Sequence, residues 1–168
     1  MVRRKRMTNP ILNRADQSPM TVEDAEVADI IAEAAPLPLL DAAYALWRRR
    51  YRLDTLEGRP TDEEARINRT LTPEQFTARY RWDRDHAHEG PAFNQVKRAH
   101  PRAEDGAIRQ AIVIAVKFED ACFRNFEDSG ADYWQRCLHA VARARKDFPG
   151  FLESTYWQAA NDVAYYNK

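Results

Sequence analysis

The sequence predicts an all-α, single-domain bundle of six to eight helices behind a disordered basic N-terminal arm. Three observations carry this. Helix-start and helix-stop signals follow one another almost without a break. No stretch alternates apolar and polar residues for long enough to make a strand. There are only 5 glycines in 168 residues, and no hairpin dipeptide lies between apolar runs. No repeat recurs at a fixed period, and the length suits one domain with a proper core.

Residues 1–20 hold a basic cluster (Arg3, Arg4, Lys5, Arg6), two prolines and few core-forming side chains, which predicts a flexible arm. Met7 and Met20 are both possible starts, so the basic head need not belong to the native product. The domain then spans 21–168. Thr21 opens a first helix with Asp24 in a variant capping box. That helix is acidic on one face and carries Val27, Ile30, Ile31 and Ala34 on the other, before Pro36.

A second helix is predicted from Asp41 to Glu57, with Leu40, Tyr44, Trp47 and Tyr51 facing inward and Gly58 and Pro60 ending it. A short third helix starts at Thr61. Thr72-Pro73-Glu74-Gln75 is the strongest start signal, with N-cap, N1 and N3 residues all favourable; its helix runs to about His88. A short segment over Phe93–Ala99 precedes a long helix from Pro101 to Phe126. Ser129 and Asp132 cap the next, which ends before Phe148. The last covers Leu152 to Tyr166.

The long helix raises the sharpest question. Its stripe is Ile108, Ile112, Ala115, Glu119, Cys122 and Phe126, at about 100° per residue. Glu119 therefore points at the core, while Asp120 lies about a quarter-turn away and is expected in solvent. The Pro73 helix repeats the anomaly with Phe76, Tyr80, Asp83 and Ala87, His86 being one turn beyond Asp83. The helix after Asp132 has Trp134, Leu138, Val141 and Arg145.

The expectation is a buried polar cluster of Asp83, His86, Glu119 and Arg145, since burying one charge alone costs several kcal/mol. A salt-bridge network satisfies it. The alternative is a metal or acid–base site, built on the carboxylate–imidazole pair Asp83 and His86 and the carboxylate–thiol pair Glu119 and Cys122. That departs from the Glu-x-x-His pairs by which ferritin-like bundles hold metal. His86, His88 and His100 match no zinc spacing.

Twenty-six basic residues balance twenty-six acidic ones, so no global field draws the chain to nucleic acid or anionic lipid. Abundant Arg and Ala suggest a GC-rich bacterial genome. Two cysteines, no secretory segment and no apolar run near the roughly 20 residues of a membrane span predict a reduced cytoplasmic protein off the membrane.

Arg48, Arg49 and Arg52 share the outer face of their helix as a patch for nucleic acid or an acidic partner. Pairing with the acidic first helix explains the same arginines without a ligand. Trp157, Tyr165 and Tyr166 lie outside the last helix's packed stripe and are candidate interface aromatics. No phosphate loop or nucleophile motif is present, and no cofactor is expected. The function predicted is non-enzymatic protein–protein contact, regulatory or accessory. A nucleic-acid module on the arginine face and a small metal-binding bundle are the alternatives.

Overall fold

The computed structural model describes residues 21–58, 69–127 and 132–167. Among these residues are eight α-helices, one turn of 3-10 helix and no strand. The chain is all-helical, as predicted. The basic arm, the expected Thr61 helix and Ser129 lie outside the described residues.

Helix α1 (Val22–Ala34) opens on the predicted reciprocal cap. The Asp24 N–H donates to Thr21 Oγ1 at 3.1 Å and the Thr21 N–H to Asp24 Oδ2 at 3.2 Å, satisfying donors that a helix start leaves open. Val27, Ile30, Ile31 and Ala34 form its buried stripe. The helix expected over Asp41–Glu57 is two helices, α2 (Leu39–Arg48) and α3 (Arg50–Leu56). Arg49 leaves the helical well at φ −96°, ψ 8°, and the interruption shifts the phase of everything after it. Leu53 then takes the inward position at 0% exposed, whereas Tyr51 is turned out at 60%. Gly58, at φ 68°, supplies the left-handed residue that commonly follows a helix end.

Helix α4 (Pro73–Asp85) begins on the Thr72–Gln75 capping box with Pro73 in its first turn. It stops before His88, because His86 at φ −105°, ψ 8° leads into a 3-10 turn over Ala87–Glu89. Arg84 is its single buried residue. Helix α5 (Pro91–Ala99) again starts on proline. Helix α6 (Asp105–Arg124) begins later than Pro101. Lys97 Nζ donates to Ala103 O at 2.8 Å and to Asp105 Oδ1 at 2.9 Å, which ties down a turn where the helix was expected. Helix α7 (Tyr133–Asp147) is capped by Asp132, and α8 (Glu153–Tyr166) closes the bundle.

Helix α6 is the hub, touching α2, α5, α7, α8 and the 3-10 turn. Its own alanines (Ala111, Ala115, Ala121) and those of its neighbours (Ala42, Ala43, Ala144, Ala160) are all buried; small side chains let the helix axes approach. One large residue fills the space they leave. The Phe118 ring lies 4.6 Å from Phe151, 5.4 Å from Tyr44 and 5.6 Å from Tyr156, in tilted or edge-on geometry that suits aromatic quadrupoles.

The start of α8 is capped from another helix. Asp41 on α2, 1% exposed, accepts the Leu152 N–H at 2.9 Å and the Thr155 hydroxyl at 2.6 Å on one carboxylate oxygen. A negative group at a helix N-terminus is favoured by the helix dipole, so this contact fixes α8 against α2. Among the described residues no helix is long and apolar enough to cross a membrane.

Candidate functional site

Helix α2 presents three donors on adjacent turns of one face, at positions 44, 47 and 48, and they read two buried carboxylates. Trp47 Nε1 donates to Glu119 Oε2 at 2.8 Å. Tyr44 Oη donates to Asp162 Oδ2 at 3.0 Å, and Arg48 grips the same carboxylate with Nε at 2.8 Å and Nη2 at 2.5 Å. Gln158, one turn earlier on α8, donates a further bond to Asp162 at 3.0 Å. A bidentate guanidinium–carboxylate pair is among the stronger hydrogen-bonded contacts available.

Glu119 is 7% exposed and is gripped from two more sides. Arg50 Nη1 donates to Oε1 at 3.2 Å and Arg84 Nη2 to Oε2 at 2.5 Å. Arg84 Nε also lies 2.6 Å from Asp120 Oδ1. Two adjacent carboxylates on α6 thus face two guanidiniums, which balances the charge that burial would otherwise penalise. The guanidiniums stack on rings as well: Arg50 sits 4.2 Å from the Trp47 centroid and 4.6 Å from Tyr51, Arg84 5.0 Å from Tyr80. Such cation–ring contacts strengthen when water is excluded.

Burial acts on the neutral groups around this centre. It pushes the Cys122 thiol well above its ordinary range, with the Glu119 and Asp162 charges adding to the effect. Tyr44 is raised for the same first cause, with Asp162, Cys122 and Glu119 following. Asp120, expected in solvent, is half-buried; burial raises its carboxyl, and the neighbouring Arg84 offsets part of the rise.

The cluster expected from the sequence is therefore differently composed. Glu119 is at its centre, but Asp83 is not in it. The Asp83 side chain is 51% exposed and lies 3.9 Å from Arg79 one turn away. The next residue, Arg84, takes the inward place, because the apolar residues that set the expected phase, Phe76 and Tyr80, are themselves 45% and 43% exposed. His86 stacks on Trp82 at 4.2 Å, with Nδ1 2.8 Å from Trp82 O. Arg145 snorkels outward from the end of α7, pairs with Glu153 and lies over the Tyr156 ring at 4.4 Å.

The metal candidates accordingly separate into two groups: Asp83 and His86 lie outside the polar centre, whereas Glu119 and Cys122 belong to it, with a guanidinium where a cation would sit on Glu119. Among the described residues no three His, Cys, Asp or Glu side chains are grouped to hold a metal ion. Of the arginine patch, Arg48 turns inward to Asp162. Arg49 pairs with Glu33 at 2.5 Å, and Arg52 grips Glu26 at 2.7 and 2.5 Å. The acidic helix α1 thus covers the two arginines that remain outside.

Two clefts open beside the polar centre. The larger, about 660 Å³, lies between α3, α4 and the start of α5. The smaller, about 260 Å³, reaches from α4 to the end of α8 and includes Tyr166. Both share Arg50, Tyr51, Tyr80 and Arg84 in their walls. On the far side of α8, Trp157 (57% exposed) meets Trp134 edge-on at 5.2 Å. Tyr165 and Tyr166 are 70% and 64% exposed at the helix end.

Sequence reasoning missed Arg50, Arg84 and Asp162. A signal was present for the first step: the inward stripe of α2 carries an indole N–H and a phenol, and buried donors of that kind require acceptors. No known protein-family model, curated protein or solved structure matches this chain.

Proposed function

We propose that this chain is a non-enzymatic interaction protein that docks a protein partner on the outer face of α8. The supporting observation is the placement of exposed aromatic side chains. Trp157 and Tyr165, 57% and 70% exposed, stand two turns apart on α8, about 80° from each other around its axis, and Trp134 of α7 meets Trp157 edge-on. Tryptophan and tyrosine on a surface are the side chains that anchor protein interfaces.

The polar centre supports the non-enzymatic part of the reading. Every carboxylate oxygen of Glu119 and Asp162 already accepts from a protein donor, and Cys122 is held as a neutral thiol. Such groups build a rigid interior rather than transfer protons.

The test is quantitative affinity capture from the source cells with the wild-type chain and with a Trp157→Ala/Tyr165→Ala double variant. Both side chains are exposed, so the fold tolerates their removal. A defined set of proteins retained by the wild type and depleted at least about tenfold by the variant is expected, since interface anchors of this type carry 2 kcal/mol or more. Identical capture profiles overturn the reading.

A further inference from the structure

We propose that the larger cleft, between α3 and α4, is a binding site for a flat, uncharged aromatic molecule bearing a hydrogen-bond acceptor. This is a site separate from the α8 face, and it stands or falls without the partner reading. Its volume, about 660 Å³, falls within the roughly 300–1,000 Å³ of small-molecule sites. Its walls carry ring faces that no core residue covers: Tyr51 is 60% exposed, Trp82 60%, Phe76 45% and Tyr80 43%. Phe76 and Tyr80 lie nearly parallel, 21° apart, and Trp82 is stacked on His86. These are platforms for a planar group.

Charge selects among planar groups. Among the described residues the cleft wall carries Arg50, Arg79 and Arg84 against Asp54, Asp83 and Glu89, an even balance. Behind the wall, Glu119 and Asp120 engage two of those arginines, which disfavours an anion. A cation would be repelled by the Arg50 and Arg84 guanidiniums, which lie against one side of the Trp47, Tyr51 and Tyr80 rings. A neutral ring meets neither obstacle.

The acceptor follows from Arg50. Its Nη1 donates to Trp47 O at 3.0 Å and to Glu119 at 3.2 Å, while its Nε and Nη2 have no protein acceptor among the described residues. Arg50 is 17% exposed at the side chain and lines both clefts. A carbonyl or ring nitrogen on the ligand would take those N–H groups.

The probe is prodan, a neutral naphthalene with one ketone, followed by its own fluorescence and by quenching of tryptophan emission. Saturable binding at one molecule per chain is expected, weakened about tenfold by Tyr51→Ala and by Phe76→Ala, each of which removes one stacking face. Trp157→Ala should leave prodan affinity unchanged. The anionic anilinonaphthalene sulfonate and the cationic thioflavin T should each bind at least about tenfold more weakly than prodan. Melting curves confirm that the variants are folded. Absence of saturable prodan binding, indifference to both cleft variants, or equal affinity for a charged probe overturns the proposal. Loss of partner capture in the α8 variant leaves it standing.

Discussion

Glu119 shows how a single ionised side chain survives in an interior. It is 7% exposed yet accepts from an indole and two guanidiniums, so charge and hydrogen-bond capacity are met together. Glu119→Ala strands Arg50 and leaves the Trp47 N–H without an acceptor. Asp120 still faces Arg84, which holds the expected loss to about 3 kcal/mol, the low end for breaking a buried pair. Glu119→Gln keeps an acceptor for Trp47 and should cost less. Urea denaturation of the three proteins at neutral pH measures the order; equal midpoints in all three would remove Glu119 from the core. That Glu119 points inward was legible from its spacing with Ile112, Ala115 and Cys122. Its partners were not, because Arg50 follows a break in the helix and Arg84 lies one residue from the position that periodicity favoured.

At the scale of elements, α4 is the exception in the bundle. A helix ordinarily docks by an apolar stripe, but this one buries Arg84 alone and turns Phe76 and Tyr80 toward an open cleft. Among the described residues its attachment is therefore largely electrostatic, through Glu119 and Asp120. Arg84→Ala should raise amide exchange across 73–85 by about tenfold or more while α2 and the core of α6 stay protected, as expected of a locally opening unit. Uniform acceleration everywhere would mean that the arginine supports the whole fold; no change would mean that α4 is held by other contacts. The same logic explains which boundaries could be read in advance. Thr21 and Thr72 caps depend on residues three apart, so the sequence shows them directly. The cap on α8 comes from Asp41, more than a hundred positions away, and no local pattern reveals it. Asp41→Ala should destabilise by about 1–2 kcal/mol, the usual range for losing a helix cap, and more than Asp41→Asn, which retains an acceptor; a thermal melt distinguishes the two.

For the whole molecule, the buried polar centre makes stability depend on pH most clearly on the alkaline side. The Cys122 thiol and the Tyr44 phenol are both held above their ordinary values of 9.0 and 10.0, first by burial and then by the Glu119 and Asp162 charges. In the unfolded chain both groups lose their protons near those ordinary values, while the folded protein keeps them. Below pH 9 the folded and unfolded states bind the same protons at these groups and their stability is intact. As pH rises past that point the unfolded state binds fewer protons, so unfolding is favoured progressively. The midpoint of urea denaturation should accordingly be flat near neutrality and fall from about pH 9 upward. Cys122→Ala removes the earlier part of that fall and leaves the later, tyrosine-linked part, because Tyr44 still donates to Asp162. A wild-type midpoint that stays level to pH 11 would show that these groups ionise as readily in the folded state as in the unfolded chain, and that burial does not hold their protons.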